Sequence, residues 1–158
     1  MTHTINKCEE WVRPETNEYR NKEGRLHRDD GPALILKNGT EWWYQNGDVH
    51  RDNGPAVTHA KGTRKWYQHD KLHRLDGPAI EYADGSREWY VNGLLHRTDN
   101  FAVIHASGYR EWWVEGDLHR TDGPAVVHAD GKCDWYWHGT PMTEFEHWLL
   151  AGAEKVAQ

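Results

Sequence analysis

The sequence predicts an all-β fold, an elongated antiparallel β-meander of five 23-residue hairpin repeats with a C-terminal capping helix. Three observations support this prediction. A short His-Arg motif recurs every 23 residues. Glycine-containing turn dipeptides separate runs of five or six residues, which is the usual length of a strand. A helix-capping motif precedes an apolar segment near the C-terminus.

The repeat has a fixed order of motifs. A His-Arg pair comes first, and Asp-Gly-Pro-Ala or a variant of it follows two residues later. A glycine and then an aromatic pair complete the unit. The five aromatic pairs are Trp43-Tyr44, Trp66-Tyr67, Trp89-Tyr90, Trp112-Trp113 and Trp135-Tyr136.

The turn dipeptides predict how each unit folds. Asn38-Gly39, Asp84-Gly85 and Asp130-Gly131 can supply positive φ at both central positions of a hairpin. Asn46-Gly47 and Asn92-Gly93 do the same between an aromatic pair and the next His-Arg. Each unit is therefore expected to form two strands, such as 78–82 and 87–91, joined by a tight turn.

The two ends differ from the repeats, which are expected to span 24–139. Residues 1–23 are interpreted as an N-terminal cap, in which Ile5, Cys8, Trp11 and Val12 would form one face of a short helix. Residues 140–158 are interpreted as a capping segment, with a helix over 143–156. Its apolar stripe is expected to cover the edge of the last strand. The members of that stripe are Phe145, Trp148, Leu149, Ala153 and Val156.

Composition sets limits on the class of protein. Leu, Ile, Val and Phe make up only about 16% of the 158 residues, which alone would suggest disorder, but ten Trp and seven Tyr argue for a folded chain. No stretch approaches the ~20 apolar residues of a membrane span, and the N-terminus has no apolar signal sequence. Two cysteines predict a reduced, cytoplasmic setting. A net charge of -6 disfavours generic nucleic-acid binding.

The unit resembles a divergent MORN repeat (membrane occupation and recognition nexus). Trp89, Tyr90, Asn92, Gly93 and His96 match aromatic, glycine and histidine positions of the family pattern, close to Tyr-x-Gly-x-Trp-x-x-Gly-x-x-His-Gly. Arg follows His where the family has Gly, and Asp-Gly-Pro-Ala replaces Gly-x-Gly, as in variants associated with bacteria, phages and large viruses. The resemblance covers about 19–142. It implies a β-meander without catalytic machinery, which serves as a scaffold for protein partners, pairs with itself or lies near lipid.

Two polar columns repeat with the unit. Equivalent histidines are expected about 9.6 Å apart, too far to share a metal ion, so we expect each ring to pack beside a Trp and to bond to backbone. No metal and no cofactor are predicted. Each arginine precedes Asp or Asn by two residues, which favours local ion pairs; the alternative is an anion-binding row for phosphate or carboxylate groups. These arginines are Arg28, Arg51, Arg74, Arg97 and Arg120.

The aromatic residues are the candidates for partner binding. Neighbours within a pair point to opposite faces of a strand, so one column is expected to form the core and the other to need a cover. Two roles for the aromatic columns are left open: they form only the core, or they form the core and also an interaction surface. Phe101 stands where sister units have Pro and is expected to be exposed. The candidates are Trp42, Trp43, Trp66, Trp89, Phe101, Trp112, Trp113, Trp135, Trp137 and Trp148.

The function predicted from these features is non-enzymatic. No nucleophile elbow, phosphate loop or zinc-protease motif is present in the sequence. We expect a binding or scaffold protein that engages a protein partner, or a second copy in a homodimer, through an aromatic sheet face or the terminal helix. A phage or bacterial inhibitor of a host protein is one specific form. The alternative is a binder of a small molecule or nucleotide in a groove lined by Trp, His and Arg.

Overall fold

The computed structural model describes residues 16–156 and shows an all-β meander followed by one helix. The predicted helix in the N-terminal cap, including Trp11, falls outside the described residues. In chain order the elements are β1 (Asn17–Glu18), β2 (Leu34–Ile35), β3 (Glu41–Trp42), β4 (Tyr44–Gln45), β5 (Asp48–Val49), β6 (Val57–Thr58), β7 (Arg64–Lys65), β8 (Tyr67–Gln68), β9 (Lys71–Leu72), β10 (Ile80–Glu81), β11 (Arg87–Glu88), β12 (Tyr90–Val91), β13 (Leu94–Leu95), β14 (Val103–Ile104), β15 (Arg110–Glu111), β16 (Trp113–Val114), β17 (Asp117–Leu118), β18 (Val126–Val127), β19 (Cys133–Trp137), β20 (Thr140–Met142) and α1 (Glu144–Val156).

Twelve of these strands form one continuous antiparallel sheet. Its order is β1-β2-β3-β6-β7-β10-β11-β14-β15-β18-β19-β20, so each repeat adds two strands. At the usual separation of strands, equivalent residues of neighbouring repeats lie about 9.6 Å apart. Four separate two-stranded hairpins, β4-β5, β8-β9, β12-β13 and β16-β17, lie beside this sheet.

The predicted strand 87–91 is broken at its tryptophan, so a side hairpin follows the two strands that each central unit adds to the long sheet. The Trp89 backbone N–H donates to the carbonyl of Ala102, at 2.8 Å, whereas its carbonyl accepts from the backbone N–H of His96; both partners lie in the next repeat. The chain therefore leaves the long sheet at Trp89 and enters the side hairpin. Only the last unit keeps a five-residue strand, β19.

The buried core is built from small residues. The alanine of each Gly-Pro-Ala segment, or of its variant in the fourth unit, is fully buried. Its carbonyl accepts from the backbone N–H of an aromatic residue, which is Tyr19 for Ala33 and a tryptophan for the other four. Val57, Ile80, Val103 and Val126 extend this core along the long sheet. Both aromatic columns are of intermediate burial, so neither is fully enclosed, and the residues that are fully buried are the small ones.

The two kinds of predicted turn differ in the structure. Asn46-Gly47 and Asn92-Gly93 have positive φ at both residues, as predicted. In Asp84-Gly85 only the glycine does, because the Asp84 carboxylate accepts from the Ser86 backbone N–H at 2.9 Å and closes an Asx turn. The same holds at Asn38-Gly39 and Asp130-Gly131.

Glu115 occupies a turn position that favours asparagine. Its φ is +53°, where the equivalent Asn92 has +52°. We expect Glu115→Asn to raise the free energy of unfolding by about 0.5–1 kcal/mol, because asparagine tolerates the left-handed region better. The reverse change, Asn92→Glu, is expected to lower it by a similar amount in urea unfolding. Equal stability of both variants and the parent would contradict this reading of the turn.

The capping box at the start of α1 is confirmed. The Glu146 carboxylate accepts from the Thr143 backbone N–H at 2.8 Å, and the Thr143 hydroxyl accepts from the Glu146 N–H at 3.3 Å. The helix packs on β19, next to the edge strand β20, consistent with the predicted capping helix. Within residues 16–156, no helix is long and apolar enough to cross a membrane.

Candidate functional site

Each central repeat holds its arginine in a compact polar cluster. The Arg74 guanidinium lies over the Trp66 ring, 4.1 Å from its centroid. Its Nε donates to Asp76 at 2.8 Å, and one terminal nitrogen donates to the Pro78 carbonyl at 3.2 Å. This confirms the predicted Arg-Asp pairing. The same stacking on a ring recurs at Arg28, Arg51, Arg97 and Arg120.

The arginine row is therefore largely neutralised within the chain. Asp partners lie 2.7–2.9 Å from the Nε of Arg28, Arg97 and Arg120. Arg51 differs because Asn53 replaces the aspartate, and its guanidinium lies 3.7 Å from the Trp43 centroid. Burial lowers the pKa of Arg51, and the charge of Glu41 opposes that effect. Of the five candidate anion-binding arginines, Arg51 lacks a carboxylate two residues on.

Four clefts lie in a row, each between the loops that carry the arginines of two successive repeats. Their tryptophans are Trp43, Trp66, Trp89 and Trp112, and their volumes are about 260, 510, 590 and 400 Å³ in that order. Neighbouring clefts share walls, such as Asp52 between the first two. We call this series the cleft row. It brings together the predicted tryptophan and arginine columns, with Arg97 and its equivalents lying on the rings.

The histidine column is structural, as expected. His73 Nδ1 accepts from the Asn92 backbone N–H at 3.1 Å, which fixes the turn that follows the aromatic pair of the same repeat. The same bond, of 3.1–3.4 Å, is made by His27, His50, His96 and His119. In the part of the chain that the structure describes, no group of three or more His, Cys, Asp or Glu is placed to hold a metal ion.

The opposite aromatic column makes hydrogen bonds of its own. The Tyr90 and Tyr82 hydroxyls both donate to Glu88, at 3.0 and 2.9 Å. Burial, followed by the bond to Glu88, raises the pKa of Tyr82 to about 12. Trp113 donates from its indole to Glu111 at 2.8 Å, and Trp42 stacks on a neighbouring tyrosine. The candidates Trp42 and Trp113 therefore lie apart from the cleft row.

Phe101 is buried, which corrects the expectation that it is exposed. Its ring packs edge-on against Trp112, with centroids 5.5 Å apart, and only 8% of the residue is accessible. Its N–H, absent in the sister prolines, donates to the Asn100 side chain at 2.8 Å. Asn100, which stands where the sister units have glycine, does not adopt a positive φ. The substitution therefore fills space inside the repeat.

The terminal helix is docked by a face that the sequence pattern did not identify. His147 is fully buried, and Ala151 is almost so. The His147 ring lies between Trp135 and Trp137, and its Nε2 contacts the Arg120 carbonyl. A small residue, Ala151, fits at this position because Trp135 and Trp137 of β19 already fill the space between the helix and the sheet.

Three members of the predicted apolar stripe are largely exposed instead. Phe145 is 72% exposed, Leu149 59% and Trp148 45%, and Leu150 is also exposed. We call Phe145, Trp148 and Leu149 the helix face. Of its members only Trp148 was a candidate for partner binding. The spacing of these three residues predicts that they share one face of the helix. It does not predict whether that face is turned toward the sheet or toward solvent.

The Asx turns predict loss of stability in acid. The pKa of Asp84 is lowered mainly by the Ser86 backbone N–H, and that of Asp130 by the Lys132 N–H. A carboxylate whose pKa is lowered by folding stabilises the protein above its unfolded pKa and loses that effect as the pH falls through its folded pKa. We therefore expect the thermal midpoint to fall as the pH drops from about 5 to below the usual value of 3.8.

The variant Asp84→Asn tests the cause. Asn38 already closes the same turn with a neutral oxygen, so the variant is expected to stay folded. Its midpoint should fall less between about pH 5 and about pH 2 than that of the parent. Identical acid profiles would show that this carboxylate does not contribute.

Neither a protein-family model nor a curated protein sequence matches the chain. The MORN resemblance therefore stays a prediction.

Proposed function

We propose that the protein is a non-enzymatic scaffold that binds a protein partner through the helix face. The observation that carries the proposal is the exposure of large apolar side chains on a helix that is docked through His147 and Ala151. Phe145 and Leu149 are mostly exposed, and Trp148 is 45% exposed although its ring also contacts Trp135. Contiguous exposed apolar groups of this kind are typical of interaction sites, and aromatic residues are frequent among binding hot spots.

The sheet is the less favoured surface for this partner. Arginines lie on the Trp66 and Trp89 rings, so the tryptophan column presents separate clefts with polar walls and no broad apolar face. The helix face is at one end of the array, where a partner can dock without displacing those ion pairs. The partner is either another protein, for example a host protein that a phage or bacterial chain inhibits, or a second copy in a homodimer. Its place of action is the cytoplasm, in keeping with two cysteines in the chain.

The double variant Phe145→Ser/Leu149→Ser tests the proposal. It removes two apolar side chains from the helix face and leaves the His147 contacts in place. Leu94→Ser is the matched control, because Leu94 is 52% exposed on the repeats and does not line the cleft row. We expect the immobilised parent and the control to retain the same protein from an extract of the natural host, or to form the same dimer by light scattering. The double variant should do neither.

Two outcomes would contradict the proposal. One is retention of partner or dimer by the double variant at the parental level. The other is a parent that is monomeric and retains nothing. Far-ultraviolet circular dichroism checks that the variants keep the parental fold.

A nucleotide or phosphate ligand is the second candidate, and Arg51 favours it. This guanidinium stacks on Trp43 without an aspartate two residues on, so an anion can approach it without breaking an ion pair. We expect ATP to raise the thermal midpoint of the parent but not of Arg51→Gln if this function holds. No shift of the parent at millimolar ATP excludes it.

A further inference from the structure

We propose that the cleft row binds a proline-rich segment of another protein in the polyproline II conformation. This surface is separate from the helix face and does not depend on the function assigned to that face. The occupant has one residue in each cleft and two residues spanning each shared wall.

The spacing of the clefts supports this conformation. Each repeat contributes two strands to the long sheet, so successive clefts lie about 9.6 Å apart. A polyproline II helix has three residues per turn and rises about 3.1 Å per residue, which gives about 9.3 Å. An extended β-strand repeats its face every two residues, about 6.8 Å, and does not match.

Three hydrogen-bond donors lie in the row without acceptors. Among the described residues, the indole N–H of Trp113 is bonded to Glu111, and that of Trp43 is buried without a partner. The indole N–H groups of Trp66, Trp89 and Trp112 have no acceptor, and none of the three is buried. A polyproline II chain has no internal hydrogen bonds, so its carbonyls are free to accept. Tryptophan-lined grooves are a common way to recognise such chains.

The charge of the walls favours an uncharged ligand. The cleft of Trp89 is lined by Arg74 and Arg97 together with Asp76 and Asp99. Each of these arginines donates to the aspartate two residues on. The positive and negative charges of the cleft wall therefore balance. A ligand needs no net charge to be electrostatically complementary to the central clefts. Exposed Leu75 at the shared wall of the two largest clefts adds apolar surface.

The occupant comes from a different protein. The six prolines of this chain, at positions 14, 32, 55, 78, 124 and 141, include no two that are three residues apart. A second copy therefore has no segment with the required period. At the other end, α1 covers Trp135 through His147 and Trp148, so the open part of the row ends at Trp112.

The test is a titration of the full chain with a capped twelve-residue polyproline peptide, observed through the indole N–H signals in ¹H–¹⁵N spectra. We expect the signals of Trp66, Trp89 and Trp112 to move, and affinity to rise from six to nine to twelve residues as further clefts are filled. A (Gly-Ser)₆ peptide, of equal length but without this conformation, should bind at least tenfold more weakly. Binding by Phe145→Ser/Leu149→Ser should equal that of the parent.

Substitutions assign the contact. Trp89→Phe keeps a flat ring beneath Arg97 but removes the donor, and it should weaken peptide binding by about threefold to tenfold, as expected for one hydrogen bond. Trp66→Phe should act similarly. Trp113→Phe, the matched control on the opposite column, should leave the affinity within twofold of the parent.

Three results would overturn the proposal. The first is the absence of indole shifts at millimolar peptide. The second is equal binding of the Gly-Ser peptide, and the third is an equal effect of Trp89→Phe and Trp113→Phe in folded variants.

Discussion

Replacing Trp89 with alanine is expected to lower the free energy of unfolding by about 3 kcal/mol, the range for a large aromatic side chain lost from a packed site. The ring is the surface on which the Arg97 guanidinium lies, 4.2 Å from its centroid. Its loss leaves a cavity and removes that stacking contact, while Asp99 still holds the arginine over the empty space.

Urea unfolding followed by circular dichroism measures this effect. The control is Leu94→Ala in the same repeat, because Leu94 is mostly exposed and should change the free energy by no more than about 0.5 kcal/mol. If the Trp89 variant is as stable as the Leu94 variant, the tryptophan-arginine stack does not stabilise the repeat.

Replacing His147 with alanine is expected to cost about 2–4 kcal/mol and to loosen α1 from the sheet. The ring is fully buried, its Nε2 contacts the Arg120 carbonyl, and Trp135 and Trp137 pack around it. Alanine leaves both a cavity and a carbonyl without that partner.

Hydrogen exchange detects the loosening directly. Amides of the helix should exchange faster in His147→Ala, while those of β10 and β11 keep the parental rate. Leu149→Ala on the same helix is the control, since its side chain is largely exposed and its loss should leave exchange unchanged. Parental exchange in the His147 variant would show that this residue does not anchor the helix.

Local chemistry was sufficient to predict the repeat and the left-handed turns at two of the five predicted turn dipeptides. The 23-residue period predicts equivalent units, and Asn-Gly dipeptides at 46–47 and 92–93 predict left-handed turns that the structure contains. The capping box at Thr143 and the Arg-Asp pairs also follow from residues only two or three apart. Each of these features depends on neighbours in the chain, which a sequence displays.

Contacts between repeats were not predictable in the same way. The break at Trp89 arises because its N–H and carbonyl bond to two different segments, at Ala102 and His96. Phe101 is buried because its ring packs edge-on against Trp112, which lies eleven residues later in the chain. The orientation of α1 depends on the bulk of Trp135 and Trp137 in the strand beneath, so its amphipathic pattern did not reveal the buried side.

Site-specific photo-crosslinking tests most directly whether the helix face is the binding surface. A benzophenone amino acid is placed at position 149 in one protein and at position 94 in another; both positions are exposed, and position 94 does not line the cleft row. After irradiation in the natural host cells, the helix-face position should give one dominant adduct with a protein, either a partner or a second copy. A dominant adduct from position 94 alone, or none from position 149, would contradict the account.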